Sequence, residues 1–250
     1  ILWPGKPKYL AKTSGTTSGA KYIPITKESM PNHILSSRNA LLFYIYETGD
    51  TSFLDGKTIF LQGSPVLEKI NGILLGRLSG IVAHHIPSYL RKNNLPTLKT
   101  NSIVDWEEKV NEICSETINE NMIVIGGIPS WIQMYFEKLL TKSKKRNVGE
   151  LFKNLKLYVY GGVNFSPYEK IFSKLIGKQI NTIEYYPASE GFFAYQNSQN
   201  NKALLLQYNS GIYYEFIKPE EFGKGKYERY NLNNVEIGVN YILIVSSNAG

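Results

Sequence analysis

Short apolar stretches alternate along most of the chain with longer stretches whose apolar positions recur at helical spacing, and that alternation predicts an α/β fold. Strands are expected at 58–61, 122–125, 155–160 and 182–186, and helices at 31–47, 105–119, 130–140 and 166–175. In the first helix Ala40, Phe43, Tyr44 and Glu47 share one face, and Gly49 supplies the stop. After residue 191 the pattern changes. The stretches 192–195, 203–207, 211–217 and 235–245 all read as strands separated by polar turns, so the expected organisation is an α/β part over about 1–191 followed by a β-rich part over about 192–250.

One stretch fits neither period. TSGTTSGAKYIP, residues 13–24, runs through seven residues of nothing but Gly, Ser and Thr into Ala20 and Lys21. Gly15 and Gly19 can adopt positive φ and allow close backbone approach, so successive N–H groups can form an anion nest. Ser14, Thr16, Thr17 and Ser18 add hydroxyl donors, and Lys21 adds a mobile positive charge. Residues 1–27 hold five lysines and no Asp or Glu, a field that favours an anion such as a phosphate. The segment is not a Walker loop, because three residues rather than four separate its glycines and Ala-Lys-Tyr follows the second. A flexible linker is the other reading, against which stands the strand-like Lys-Tyr-Ile-Pro-Ile that follows at once.

Composition narrows the setting. The 250 residues are 42% hydrophobic and 13% aromatic, enough to build a sizeable core, and the apolar run at 41–46 is far too short to cross a membrane. A single cysteine, Cys114, excludes an internal disulfide and suits a reducing cytoplasm; within an amphipathic stretch it reads as a packing residue. The net charge of +7 includes one basic run, Lys142 to Arg146, which reads as a solvated helix end in the absence of any nucleic-acid-binding motif. The chain opens on Ile1 and stops just after an apolar segment, and is expected to be part of a longer protein.

Two further constellations lie at strand ends. In INTIEYYPASEG, residues 180–191, Pro187 is expected to end a strand and leave Ser189 and Glu190 in the crevice outside its carboxyl end. There Glu190 could hold Mg²⁺ against phosphate oxygens, Ser189 could donate to a phosphate and Tyr186 could offer a flat face to a base; an ordinary turn with an exposed Glu explains the same residues. The second is YVYGGVN, residues 158–164, whose paired glycines Gly161 and Gly162 either let a planar ring lie against bare backbone or make a tight strand-to-helix turn. His84 and His85 are adjacent, so their side chains diverge and no ligand partner stands at metal spacing; a satisfied structural pair is the simpler reading.

Together TSGTTSGAKYIP, YVYGGVNF and YYPASEGFFAY resemble, in order and separation, the phosphate loop, adenine-binding turn and Tyr-x-x-x-Glu motif of the adenylate-forming enzymes. The extra Ser18, with YYEFI at 213–217 and VEIGVNY at 235–241, is similar to the auxin-responsive acyl acid amido synthetases, which conjugate plant hormone acids to amino acids. The resemblance implies the N-terminal adenylating domain of such an enzyme, with mixed sheets flanked by helices. It implies ATP and Mg²⁺ as cofactors, and a small carboxylic acid and an amino acid as substrates, with neither nucleic acid nor membrane as partner. By the same resemblance Ser14 to Gly19 and Lys21 hold the ATP phosphates, Gly161, Gly162 and Val163 border adenine, Tyr186 stacks on it, Ser189 meets the α-phosphate and Glu190 holds Mg²⁺. Arg77, Ser79, His84 and His85 fall in the stretch where the family contacts the acid. A Tyr-x-x-Gly-Asp segment, a hinge and a small C-terminal lid domain with its adenylation lysine follow in the family and are absent here, so the chain by itself is expected to turn over weakly or not at all. An acyl-CoA ligase and a non-catalytic nucleotide-binding module are the alternatives.

Overall fold

The computed structural model describes residues 5–13, 19–225 and 227–248. In chain order its strands are β1 (Tyr9–Thr13), β2 (Lys21–Ile25), β3 (Lys57–Leu61), β4 (Glu68–Ile70), β5 (Ile73–Gly76), β6 (Asn94–Leu95), β7 (Met122–Gly127), β8 (Leu157–Gly161), β9 (Asn181–Ala188), β10 (Gly191–Gln196), β11 (Leu204–Leu206), β12 (Ile212–Ile217) and β13 (Ile242–Ser247). Its helices are α1 (Met30–Thr48), α2 (Leu78–Ala83), α3 (Ser88–Arg91), α4 (Leu98–Asn101), α5 (Trp106–Thr117), α6 (Pro129–Ser143), α7 (Val148–Leu151) and α8 (Glu169–Ile176). The strands form a four-stranded sheet ordered β2-β1-β5-β4, a seven-stranded sheet ordered β11-β10-β9-β8-β7-β3-β6, and a β12–β13 pair.

The larger sheet carries the core. Its central strands are parallel and apolar on both faces, as a sheet covered on both sides requires. Leu157 and Val159 of β8 face α1 through Ala40 and Tyr44. The alternate residues Tyr158 and Tyr160 face α5, α6 and α8 through Val110, Ile113, Ile132, Phe136 and Phe172. The long helices begin and end where local chemistry dictates. The Asp105 carboxylate accepts from the Glu108 N–H at 2.8 Å to cap α5, and Gly49, at φ 65°, closes α1 with its N–H donated to the Ile45 carbonyl at 2.8 Å.

The β-rich region departs from expectation in two places. Strands form from 191 onward, but β10 and β11 extend the seven-stranded sheet as antiparallel strands, with β11 at its edge, and only β12 and β13 stand apart. The expected strand at 235–245 is confined to Ile242–Ser247, because the partner strand β12 ends at Ile217 opposite Ile242. Residues 235–241 lie outside that ladder, with Gly238 at φ 84° and Ile237 fully exposed. Likewise Pro187 does not end β9. The strand continues to Ala188 and pairs with β10 through Pro187 and Phe192. It tolerates a proline there because its last partner on β8 is Gly161, opposite Tyr185, two residues earlier.

Candidate functional site

The parallel strands β3, β7, β8 and β9 end at one edge of the sheet, with Leu61 opposite Gly127, Gly126 opposite Val159, and Gly161 opposite Tyr185. The carboxyl edge of an open α/β sheet is where such folds bind ligands. Two of the three sequence constellations leave the sheet there, on neighbouring strands.

The β8 exit is shaped by close contact. A Cβ on Gly161 would stand 2.3 Å from the Tyr185 carbonyl oxygen, so glycine is required by β9 itself. Gly162 takes φ 82°, and nothing lies nearer than 4.0 Å to where its Cβ would be. Phe165 folds back and stacks on Tyr160 at 4.5 Å between ring centroids, which closes the turn. Val163 is exposed. The tight-turn reading therefore accounts for the glycine pair, and the turn leaves bare backbone open above Gly162.

The β9 exit is a hairpin. Ala188 pairs with Gly191, which leaves Ser189 and Glu190 as its two tip residues. A Cβ on Gly191 would meet Ile212 Cδ1 at 2.4 Å and force that side chain to shift, so Gly191 packs closely against the start of β12. Tyr186 is half-exposed, held edge-on to Phe193 at 5.4 Å. Glu190 is exposed, and among the described residues its carboxylate makes neither hydrogen bond nor ion pair. No cluster of three or more metal-ligating side chains occurs among the described residues. A single free carboxylate beside a hydroxyl fits Mg²⁺, which takes one or two protein carboxylates and completes its shell with water and substrate phosphate.

Of the glycine, serine and threonine segment, Ser14, Gly15, Thr16, Thr17 and Ser18 lie outside the described residues. Its ends are placed: Thr13 closes β1 and pairs with Lys21, the exposed first residue of β2, while Gly19 has φ 79°. β1 is also parallel to β5, with Ala11 opposite Gly76, so Thr13 leaves the smaller sheet on the side from which Arg77 leaves β5.

Arg77 precedes α2 in extended conformation, and α2 packs on the segment leaving β3. The Gly63 N–H donates to Ser79 Oγ at 3.3 Å, and a Cβ on Gly80 would stand 2.3 Å from the Ser64 carbonyl oxygen. Arg77 and Ser79 thus lie against the carboxyl end of β3, three strands from β9, or roughly 14 Å at ordinary strand spacing. The two histidines have protein partners. His84 Nε2 lies 2.7 Å from the Pro65 carbonyl, and His85 Nε2 lies 3.1 Å from the Tyr9 hydroxyl. Burial, with Lys8 and His84 nearby, holds the His85 imidazole below its ordinary pKa.

Two other expectations concern the helices. Cys114 is buried, with its thiol pushed up to about 11 by desolvation, as a packing residue should be. The run 142–146 is a solvated end of α6, with Arg146 paired to Glu150. A cavity of about 390 Å³ opens between α5 and α6, lined by Asn111, Cys114, Glu137, Lys138, Thr141 and Lys142, away from every candidate residue above. One buried charge had no place in the sequence reading: Lys109, only 3% exposed. Its position on the α5 face shared by Val110, Ile113 and Thr117 was the available signal.

The fold is that of the N-terminal domain of adenylate-forming enzymes. Residues 1–94 match the model of the GH3 family N-terminal domain. Two structures of the GH3.15 acyl acid amido synthetase, one in complex with 2,4-DB, superpose with a TM-score of 0.72 at 14% and 16% identity, each over 98% of this chain and 51% of the other. Apo MatB from Rhodopseudomonas palustris superposes with a TM-score of 0.51 at 15% identity, over 95% of this chain and 39% of its own. No curated protein matches the sequence. The chain spans about half the length of the amido synthetase structures it matches. The family match over residues 1–94 and the fold agree with the resemblance read from the motifs.

Proposed function

We propose that the protein adenylates a small carboxylic acid with ATP and passes the acyl group to an amino acid, forming an amide. The observation that carries this reading is the pair of neighbouring exits at the carboxyl edge: an open glycine turn after β8 and a hairpin tip after β9 whose carboxylate has no partner among the described residues. The GH3 match over residues 1–94 favours the amide over a thioester.

In the first step a carboxylate oxygen attacks the α-phosphorus, the bond to pyrophosphate breaks, and an acyl adenylate results. In the second an amine attacks the acyl carbon, AMP leaves and the amine loses a proton. No side-chain nucleophile is required. The chain's task is to position the reactants and offset developing charge. Gly162, Val163 and Tyr186 border the base, Ser189 donates to the α-phosphate, and Ser14 to Gly19 with Lys21 cradle the outer phosphates. Glu190 would hold Mg²⁺, which when bound neutralises charge on the phosphate oxygens. Arg77 and Ser79 face the acid. His84 and His85 support α2, the Nε2 of each being engaged, by Pro65 and Tyr9 respectively.

The test, made on the full-length protein because the chain by itself is expected to turn over weakly or not at all, is AMP release from ATP across a panel of carboxylic acids, with amino acids and then with CoA as acceptor. Amide formation with an amino acid is expected. Thioester formation with CoA alone would make the protein an acyl-CoA ligase, and ATP binding without pyrophosphate or AMP release from any acid would leave a nucleotide-binding module.

A further inference from the structure

Lys109 is buried in the interior of α5, and no carboxylate lies within ion-pair distance of it among the described residues. Its ammonium donates to two main-chain carbonyls instead, Asn101 at 2.7 Å and Gln62 at 3.4 Å, and stands 6.0 Å from the centre of the Trp106 ring. Its neighbours on the helix, Val110 and Ile113, belong to the apolar core, and an apolar residue would fill the same volume without burying a charge. Beside it, the side-chain oxygen of buried Asn101 has no partner. The cluster is therefore costly, and what it holds is specific.

Gln62 is the first residue beyond β3, at the carboxyl edge. The next residue, Gly63, donates to Ser79, and its Cβ would stand 2.9 Å from Arg77 Cδ; Ser64 is in backbone contact with Gly80. The contacts of Gly63 and Ser64 thus join the segment that follows Gln62 to the start of α2. We propose that Lys109 is a positioning residue for the acid-binding side of the site, clamping Gln62 so that the 62–64 segment fixes where Arg77 and Ser79 stand. The assignment of Arg77 and Ser79 to the acid rests on the function proposed above; the clamp itself does not.

The test separates the two. Hydrogen exchange is measured on the protein and on Lys109→Met, which keeps the length and removes the charge. Amides of 62–64 and 77–80 should exchange faster in the variant while those of β7 and β8 are unchanged. Unchanged exchange at 62–64, or acceleration spread through the core, would overturn the clamp whether or not the protein adenylates any acid. In the adenylation assay Lys109→Met should raise KM for the acid by about tenfold, with KM for ATP nearly constant, because misplacement is confined to one side of the site. Lys109→Arg should restore most of the loss. Equal rises in both KM values, or no rise for the acid, would overturn the positioning role. As a second route, Ser79→Ala combined with Lys109→Met should raise the acid KM by less than the product of the single effects, and a full product would show that the two residues act independently.

Discussion

The end of α2 and the tip of the β9–β10 hairpin both present ionisable side chains near the carboxyl edge, yet they differ in how the fold treats them. His84 and His85 each engage Nε2, with the Pro65 carbonyl and the Tyr9 hydroxyl respectively, and so tie α2 to the β3 exit and to β1. Glu190 stands on two tip residues whose backbone is determined by Gly191 and β12, and its carboxylate is free of any partner among the described residues. A polar group engaged by the protein holds structure, and one left open is available to a ligand.

The largest expected effect is at the tip. In the full-length protein Glu190→Gln keeps the shape and loses the charge, so adenylation should slow by on the order of 10²-fold or more, about 3 kcal/mol of transition-state stabilisation, with the melting temperature nearly unchanged. Transfer from a supplied acyl adenylate to the amine should fall much less. If instead both half-reactions drop together with stability, Glu190 is a turn residue like any other and the contrast disappears.

A third histidine sharpens the structural side. His33 of α1 is buried, and desolvation lowers its imidazole from 6.5 to about 4. Because the unfolded chain binds that proton more readily, the stabilisation is complete above pH 6.5 and is lost as pH falls towards 4, a change on the order of 2–3 kcal/mol. Urea unfolding from pH 7 to 4 should show this loss, and His33→Gln should remove most of it. A variant with the same pH slope as the parent would place the titration elsewhere.

A smaller effect is expected at α2. His85→Phe retains the edge-on packing against Tyr9, now 5.7 Å between ring centroids, and removes the hydrogen bond. It should cost about 1 kcal/mol of stability and leave adenylation within about twofold. Adenylation reduced tenfold or more at unchanged stability would return His85 to the chemistry. The smallest effect is at Cys114, whose buried thiol, raised to about 11, should resist iodoacetamide at pH 8 in the native protein and react fully in denaturant. Rapid native labelling would show that α5 and α6 open.

The strands and helices with strong periodicity were legible, and the two site strands among them. The run Met122 to Ile125 is apolar throughout because both its faces are covered, and the 105–119 stretch carries its own cap in Asp105. Tyr186, Ser189, Glu190 and the glycine pair were visible as types in order. That they leave adjacent strands at one edge was not, since it depends on the parallel register of Gly161 with Tyr185, a contact between residues far apart in sequence. β1 escaped notice because Tyr-Leu-Ala-Lys-Thr has no clear alternation; it is a strand by virtue of partners on both sides, β2 and β5.

By itself the sequence determined the local conformations that a residue's own chemistry dictates: the stop at Gly49, the cap at Asp105, the positive φ at Gly162 and the apolar runs that must be buried. It also determined the inventory of groups able to meet a nucleotide. Tertiary structure alone decided which of those groups remained open. Whether Ile237 joins a strand depends on where β12 ends, whether Pro187 breaks one depends on where β8 ends, and whether His85 or Glu190 is free depends on Tyr9, distant in sequence, and on the hairpin's seat against Ile212. Short-range sterics and hydrogen bonding act within a few residues and are written in the chain's order, whereas satisfaction of a polar group is a property of everything that folds around it.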